Sequence, residues 1–399
     1  METIQDFLES TYSHYDIFNF RGGRLVRGRL RAMTDDCLTG LRLRLRQLGW
    51  LYSFEDIDGE DYLTCTVMDA PMRRRQGLHL LLFGLTVCTT LVGGGDLGFQ
   101  NFYQAAYVVA ASLFNAAASL VAGGAAAENY WHWLMIAWAG LREIGSLMVR
   151  GIPFSFAVIT ILGSHEMGHY LMARRYGMNV TLPFFIPVPM GIGTLGAVIR
   201  IKSPLVHRRA VLDVGAAGPL TGAIVSIIFL LAGLQMSHLV AARGMIFGDS
   251  ILTRMLTHLF FGKLPPGVDV VLHPFAFAGW LGLLITAINL MPIGQLDGGH
   301  IAYALFGRFQ RSLAVMAFGM LVTLGVIGLL SSAGTLFRQG HEAYWPWLLF
   351  AVFTRSLMKP AHPPTLDDTV RLNGRRKLIG VACLVLLFVC FVPAPMIEG

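Results

Sequence analysis

The sequence predicts an all-α polytopic membrane protein with about six to eight transmembrane helices, a membrane-associated β-hairpin and a small N-terminal α+β cytoplasmic module. Of the 399 residues, 54% are hydrophobic and only 14% are charged, whereas soluble chains carry about a quarter charged residues. Long apolar runs fill most of the chain, and its only sizeable polar stretch precedes residue 77. This composition excludes a disordered protein and a fibrous repeat, and the five cysteines lack the paired spacing of a disulfide scaffold.

Residues 1–76 are predicted to fold as the small cytoplasmic module. Leucines three and four positions apart predict a helix over Asp35–Leu48. The same module contains three strand-like runs, at Arg24–Arg31, Leu51–Ile57 and Tyr62–Met68. Nothing in it indicates catalysis, which leaves two alternatives: a regulatory or docking domain, or a cap that only aids folding.

The remaining residues contain apolar runs that are long enough to cross a hydrocarbon core about 30 Å thick, the shorter ones only just. These runs are Leu78–Val92, Phe154–Met172, Val211–Leu234, Pro274–Leu290, Leu313–Leu330 and Leu378–Val392, with a shorter one at Trp345–Met358. Two further stretches, Ala105–Ala122 and Tyr130–Met148, are interpreted as interfacial or re-entrant helices, with two extra spans as the alternative. Three regions are therefore expected after the module: 77–150 with the first transmembrane helix and this pair, a core at 151–310, and C-terminal transmembrane helices at 311–399.

Basic residues predict the orientation in the membrane. They recur at Arg73–Arg75, Arg174–Arg175, Arg200–Arg209, Arg308 with Arg311, and Arg355–Lys377, and basic-poor connections alternate with them. The positive-inside rule places all five groups and the N-terminus in the cytoplasm. The expected location is a bacterial cytoplasmic (inner) membrane. Because these loops account for the net charge of +7, we expect the lipid bilayer and no nucleic acid as a partner.

The stretch Gly163–Tyr170 contains the pattern His-Glu-x-x-His on a predicted helix. His165 and His169 are four residues apart, so both imidazoles project from one face, as two ligands of a tetrahedral Zn²⁺ require. Glu166 lies between them and is predicted to act as the general base and then as the proton donor. A pair of buried histidines that only bind backbone groups is the alternative, but ionisable side chains within a membrane span usually mark a functional site.

A catalytic zinc site needs a third protein ligand, and Asn289–His300 offers one. Proline and glycine interrupt an apolar span there, which occurs in membranes where the backbone lines a wet cavity or is covered by protein. Asp297 is the predicted third ligand, with His300 as a competing candidate for which a supporting or neutral role is favoured. Asn289 could pack between helices or offer its amide to a substrate backbone or oxyanion.

These motifs resemble those of the site-2 protease family of intramembrane zinc metalloproteases. His165, Glu166 and His169 match the family's HExxH motif; Asn289 with Pro292, and Leu296–Gly298, match its NxxP…LDG motif. Ala217–Leu220 resembles the small-residue Gly-Pro element of the intervening helix. Gln235–Asp269 is too short to hold the PDZ domain of many bacterial members, so the chain looks closer to the branch that lacks it.

The resemblance implies a metalloprotease core at 151–310, with Asp297 as a zinc ligand and Asn289 as a substrate-binding residue. It also implies regulated intramembrane proteolysis, in which the partner is a transmembrane segment of a membrane-anchored protein. A transporter or a non-proteolytic substrate-binding relative is the alternative, but no motif occurs twice and every motif residue is present.

Residues Val180–Ile201 are predicted to form an extended hairpin directly after the HExxH helix. Prolines and glycines recur throughout this segment, so it cannot be a spanning helix. Its backbone edge could pair with an unwound substrate strand, as in β-augmentation. A linker on the cytoplasmic surface is the alternative.

Overall fold

The computed structural model describes residues 4–398 except for short gaps. The gaps are 21–22, 32–34, 49, 58–59, 69–75, 97–98, 123–128, 242–244, 266, 333–343, 358–359, 364, 367 and 369. The basic triplet predicted to precede the first span, Arg73–Arg75, lies outside the described residues. The chain is mostly helical, at 66%, with several small sheets.

The N-terminal residues form a four-stranded antiparallel sheet with two helices. The elements are α1 (Ile4–Thr11), β1 (Tyr12–Phe20), β2 (Gly23–Leu30), α2 (Asp35–Gln47), β3 (Leu51–Ile57) and β4 (Glu60–Met68). The strands lie in the order β1-β2-β4-β3. The predicted helix and three predicted strands are confirmed, whereas α1 and β1 are additional elements that the sequence reasoning missed.

The two faces of this sheet differ because side chains alternate along each strand. One face packs against the helices through an apolar cluster of Leu8, Tyr12, Val26, Leu30, Leu41, Leu45, Leu63 and Cys65. The other face carries polar side chains, among them the buried Arg27, Ser53 and Thr64. Glu55 extends from this polar face to His207 of the core, at 2.5 Å. The polar face therefore contacts the rest of the protein.

Eleven further helices are described after the module. They are α3 (Gln76–Gly95), α4 (Gln100–Ala122), α5 (Tyr130–Arg150), α6 (Ile152–Arg175), α7 (Arg208–Gln235), α8 (Ile251–Phe261), α9 (Pro274–Asn289), α10 (Asp297–Phe306), α11 (Gln310–Ser332), α12 (Pro346–Leu357) and α13 (Gly374–Cys390). Short strands pair between them: β5 (Phe184–Pro187) with β6 (Thr194–Val198), β7 (His238–Ala241) with β9 (Val268–Val271), and β8 (Met245–Phe247) with β10 (Met396–Glu398).

Fewer helices qualify as membrane spans than the sequence predicts. Within the described residues, four helical stretches are long and apolar enough to cross a bilayer: Gly77–Gly95, Gln100–Val121, Arg208–Leu234 and Asp297–Ser331. The pair α5 and α6, bent by 49° at its junction, makes a fifth candidate. The predicted count of six to eight is therefore not confirmed. Helix α4, interpreted from sequence as interfacial or re-entrant, has the length and composition of a span.

Helices α6, α7 and α9 pack together at the centre of the molecule. The apolar side chains between them include Phe154, Val158, Ile161, Ala278 and Leu281. Although α9 has only 16 residues, it is buried along most of its length. It ends at Asn289, and α10 begins at Asp297. The helical structure is therefore interrupted over residues 290–296, as Pro292 and Gly294 predict, and this segment is called the interruption below.

The predicted hairpin after the HExxH helix is present as β5 and β6, with a further bridge between Val180 and Ile201. Helix α3 supports it: the ring of His79 stacks on Phe184 at 3.8 Å and its Nδ1 donates to the carbonyl of Pro183 at 3.2 Å. These contacts place the hairpin beside α3, and Phe185 of β5 packs into the apolar cluster that includes Phe154 and Ile161 of α6.

Candidate metal centre

Helix α6 presents the two histidines of the HExxH motif on one buried face. His165 and His169 lie one helical turn apart, and their Nε2 atoms are 3.2 Å from each other. Both residues are buried, with 5% and 7% of their surface exposed. The spacing of four residues in an unbroken helix is sufficient to produce this pair.

Asp297 reaches the same point from the first turn of α10. Its Oδ2 lies 3.3 Å from the Nε2 of His165 and 3.3 Å from the Nε2 of His169. The structure thus brings together the three side chains predicted as ligands. Within the described residues they are the one group of three or more His, Cys, Asp or Glu side chains whose ligand atoms lie this close.

The spacing of these three atoms fits a zinc ion. Tetrahedral zinc with bonds of about 2.0–2.1 Å holds its ligand atoms about 3.3–3.4 Å apart. The distances found, 3.2 Å and twice 3.3 Å, agree with that value. Two imidazoles and a carboxylate leave a fourth position open, as catalytic zinc sites require.

Helix α7 fixes the orientation of both imidazoles. The Nδ1 of His169 donates to the carbonyl of Val214 at 2.8 Å, which leaves the Nε2 lone pair directed at the other ligands. A Cβ at Gly218 would lie 2.0 Å from that Nε2, and one at Gly222 would lie 2.9 Å from Nδ1 of His165. The Gly-Pro element of α7 therefore packs closely against His169, and Gly222, one turn later, packs against His165.

Glu166 lies beside the ligands and contacts the hairpin. Its Oε2 accepts a hydrogen bond from the backbone N–H of Ile199 at 2.9 Å. The residue is 9% exposed. This bond holds one carboxylate oxygen at the end of β6, so the hairpin and the HExxH motif meet at this residue.

The remaining predicted site residues lie outside the group of three. Asn289 is the last residue of α9 and is half-buried, directly before the interruption. His300 lies one turn after Asp297, and its Nδ1 is 2.5 Å from the Nε2 of His362. His300 is thus bound to the segment before α13 instead of to the other two histidines.

Sequence reasoning missed the residues that support the interruption. The side-chain amide of Gln310 donates to the carbonyls of Pro292 and Pro360 and accepts from the backbone N–H of His362. These residues come from three separate parts of the chain and form no local pattern, so no sequence signal available in one chain identifies them.

Comparisons with known proteins agree with this site. The family model of peptidase family M50 matches residues 153–332, which include all three clustered side chains and Glu166. No solved structure matches the chain with statistical significance. The curated relatives are zinc metalloproteases by name, which supports zinc as the cofactor.

Three of these relatives show the extent of the similarity. The chain is 31% identical to the probable zinc metalloprotease EGY2, chloroplastic, of Arabidopsis thaliana, over 62% of this chain and 43% of that protein. It is 32% identical to the Arabidopsis thaliana EGY1 over 61% of this chain and 43% of EGY1. It is 29% identical to EGY3 of Oryza sativa subsp. indica over 59% of this chain and 42% of EGY3.

The matched part spans less than half the length of each of these relatives. All three are named as chloroplastic, so they do not support the predicted bacterial cytoplasmic membrane. The apolar helices and the family support a multi-pass membrane protein. The HExxH helix and the clustered aspartate both lie within residues 153–332, the part of the chain that matches the model of peptidase family M50, the site-2 protease family of zinc metalloproteases.

Proposed function

We propose that this protein is an intramembrane zinc endopeptidase. Its substrate would be a membrane-anchored protein that is cleaved within or near its transmembrane segment, as in regulated intramembrane proteolysis. The observation that carries the proposal is the meeting of His165, His169 and Asp297 at tetrahedral ligand spacing, with Glu166 beside them. The site lies among helices that are apolar enough for a membrane, which supports cleavage within the bilayer.

The residues of the chain divide the chemistry between them. His165 Nε2, His169 Nε2 and Asp297 Oδ2 would hold the zinc ion. A zinc ion there would lower the pKa of a water molecule and polarise the carbonyl of the peptide bond. Glu166 takes a proton from the attacking water and returns it to the leaving amine. Its Oε2 is held by the N–H of Ile199, so Oε1 is the oxygen that exchanges the proton.

The hairpin would bind the substrate as an added strand. Peptide groups alternate in direction along a strand. The N–H of Ile199 faces Glu166. The carbonyl of the next residue, Arg200, points the other way and accepts a hydrogen bond from the backbone N–H of Thr181 in the other arm of the hairpin. By this alternation, the peptide N–H of Ala197 faces the same side as that of Ile199. A substrate paired with this edge would present an extended backbone next to Glu166, and Asn289 would contact it at the end of α9.

We also propose that the N-terminal module and the metal centre face the cytoplasmic side of the membrane. Arg174 and Arg175 end α6, and Arg208 and Arg209 begin α7. Arg209 donates to backbone carbonyls of Asp56 and Arg371. Basic residues, the module and the end of α6 nearest His169 therefore gather at one end of the molecule, which the positive-inside rule assigns to the cytoplasm.

The test compares the purified wild-type protein with Glu166→Gln and Asp297→Ala, measuring zinc by elemental analysis and cleavage of a model transmembrane substrate in liposomes. Glu166→Gln keeps an acceptor for Ile199 and should retain about one zinc while cleavage falls at least about 100-fold. Asp297→Ala should lose zinc and cleavage together. Cleavage that survives Glu166→Gln would refute the proposed mechanism.

A further inference from the structure

The interruption before Asp297 is held in place by the segment Pro360–Pro363, which precedes α13. The backbone N–H of Gly294 donates to the carbonyl of Pro360 at 3.1 Å. Gln310, at the start of α11, is 1% exposed and contacts both parts. Its Nε2 donates to the carbonyl of Pro292 at 3.2 Å and to that of Pro360 at 3.1 Å. Its Oε1 accepts from the backbone N–H of His362 at 3.0 Å.

These bonds give a partner to both the nitrogen and the oxygen of the amide. A primary amide offers two N–H donors and a carbonyl acceptor. In Gln310 both donors and the acceptor have partners, and each partner is a backbone group. Neither a carboxylate nor an apolar side chain of the same size can make this set of bonds. The residue type at this position is therefore determined by the two backbone segments that it joins.

Movement of the interruption would be transmitted to Asp297 by direct backbone contact. A Cβ at Gly298 would lie 1.8 Å from the carbonyl oxygen of Leu290, and one at Gly299 would lie 2.3 Å from that of Gly294. The first turn of α10 thus rests on the backbone of the interruption without intervening side chains. A shift of the interruption must displace the first turn of α10, which begins at Asp297.

His362 extends the same support to the next turn of α10. Its Nδ1 contacts the carbonyl of Pro363, so that nitrogen carries the proton. Its Nε2 is then an acceptor and receives the N–H of His300 Nδ1 at 2.5 Å. Through Gln310 and His362, the segment Pro360–Pro363 therefore binds both the interruption and the first turns of α10.

We propose that Gln310 is a positioning residue of the metal centre, which fixes Asp297 in place by joining the interruption to the segment Pro360–Pro363. The inference rests on the proposed function, since it presupposes that Asp297 is a zinc ligand. Residues that orient metal ligands typically change metal affinity about 10-fold to 100-fold when they are replaced. Loss of Gln310 should therefore weaken zinc binding while the two histidines keep their places on α6.

The experiment uses the full chain and the substitution Gln310→Met, which keeps the length of the side chain and removes its hydrogen bonds. We expect zinc to leave this variant for a chelator about 10-fold to 100-fold faster than from wild type. The visible spectrum of the cobalt-substituted protein should change, and kcat should fall while KM stays the same. The unfolding temperature in detergent should also fall, because three backbone groups lose their partner, but the variant should stay folded at the temperature of the assay.

The matched control is Thr354→Val. Thr354 is also buried, at 2% exposure, but within the described residues its hydroxyl donates only to carbonyls of its own helix α12. Zinc release and the cobalt spectrum should stay as in wild type. Faster zinc release in the control to the same extent would mean general destabilisation and would overturn the proposal.

The result for Asp297→Ala distinguishes failure of the proposed ligand set from failure of the positioning role of Gln310. If Asp297→Ala keeps its zinc, the proposed ligand set fails, and the positioning role of Gln310 fails with it. If Asp297→Ala loses zinc but Gln310→Met releases it at the wild-type rate with an unchanged cobalt spectrum, only the positioning role is refuted.

Discussion

The histidine half and the aspartate half of the metal centre reach the same point by different means. His165 and His169 lie on the unbroken helix α6, whose own hydrogen bonds set their spacing. Asp297 begins a helix after an interruption, and Gln310 and Pro360 hold that interruption from other parts of the chain. The comparison shows that two of the three clustered side chains are placed by local sequence and the third by tertiary contacts.

The largest effect is expected from a substitution that disturbs the histidine half. Gly218→Ala adds a methyl group whose carbon would lie 2.0 Å from the Nε2 atom of His169. Overpacking costs about 1–3 kcal/mol, or more where neighbours cannot move. Since the Nδ1 of His169 is bound to Val214, zinc affinity should fall at least about 100-fold, which elemental analysis and a chelator titration would measure.

Two glycine controls sharpen this test. Gly222→Ala faces His165 Nδ1 at 2.9 Å, so a small shift of the ring should preserve much of the zinc. Gly145 on α5 has open space around it, and Gly145→Ala should keep full zinc content. Full zinc content in Gly218→Ala would show that α7 does not set the position of His169.

The same contrast explains how much of the protein could be predicted from sequence. The histidine pair, the interruption at Pro292 and Gly294, and the hairpin each depend on residues close together in the chain, and the structure contains all three. Asp297 was identified through its motif. The contacts of Gln310 could not be predicted, because its partners lie far apart and are backbone groups that any residue type provides.

The N-terminal module shows a similar division. Periodicity predicted α2 and three strands, whereas β1 was missed although its aromatic residues are typical of strands. The bond between Glu55 and His207 joins residues on β3 and at the start of α7, and no pattern in either segment indicates it. The predicted number of membrane spans is not confirmed, since several apolar runs form helices shorter than a full span, such as α9.

A smaller effect is expected at the hairpin edge, which adjoins the histidine half. Ala197→Pro removes a peptide N–H that faces the same side as that of Ile199. One net hydrogen bond contributes about 0.5–1.5 kcal/mol, so cleavage should fall up to about tenfold while zinc content stays the same. Ala197→Ser keeps the N–H and is the control.

The position of the proline is decisive for this experiment. Ile199→Pro would remove the N–H that binds Glu166 and would therefore impair the base as well as the edge. Zinc loss in Ala197→Pro that parallels the loss of cleavage would contradict edge pairing, because it would mean that the substitution disturbs the metal centre itself.

The smallest effect concerns a contact at the start of α7, the helix that packs against the histidine half. His207 Nδ1 accepts the N–H of Ala210 and thereby caps α7, so its Nε2 carries the proton and donates it to Glu55. Burial by itself raises the pKa of the Glu55 carboxyl, but the hydrogen bond from His207, together with the charge of Arg27, lowers it below its ordinary value of 4.5.

The sign of the pH dependence follows from this lowered pKa. The unfolded state binds the proton more readily, so the contribution of Glu55 is fully present above pH 4.5 and is lost as pH falls through the folded-state pKa. Glu55→Gln keeps an acceptor for His207 but cannot titrate. Its unfolding temperature in detergent should therefore depend less on pH than that of wild type between about pH 5 and pH 3. If the variant and wild type instead lose stability in parallel over this range, Glu55 does not couple the module to α7. The histidine half is then supported by α6 and α7 without the module.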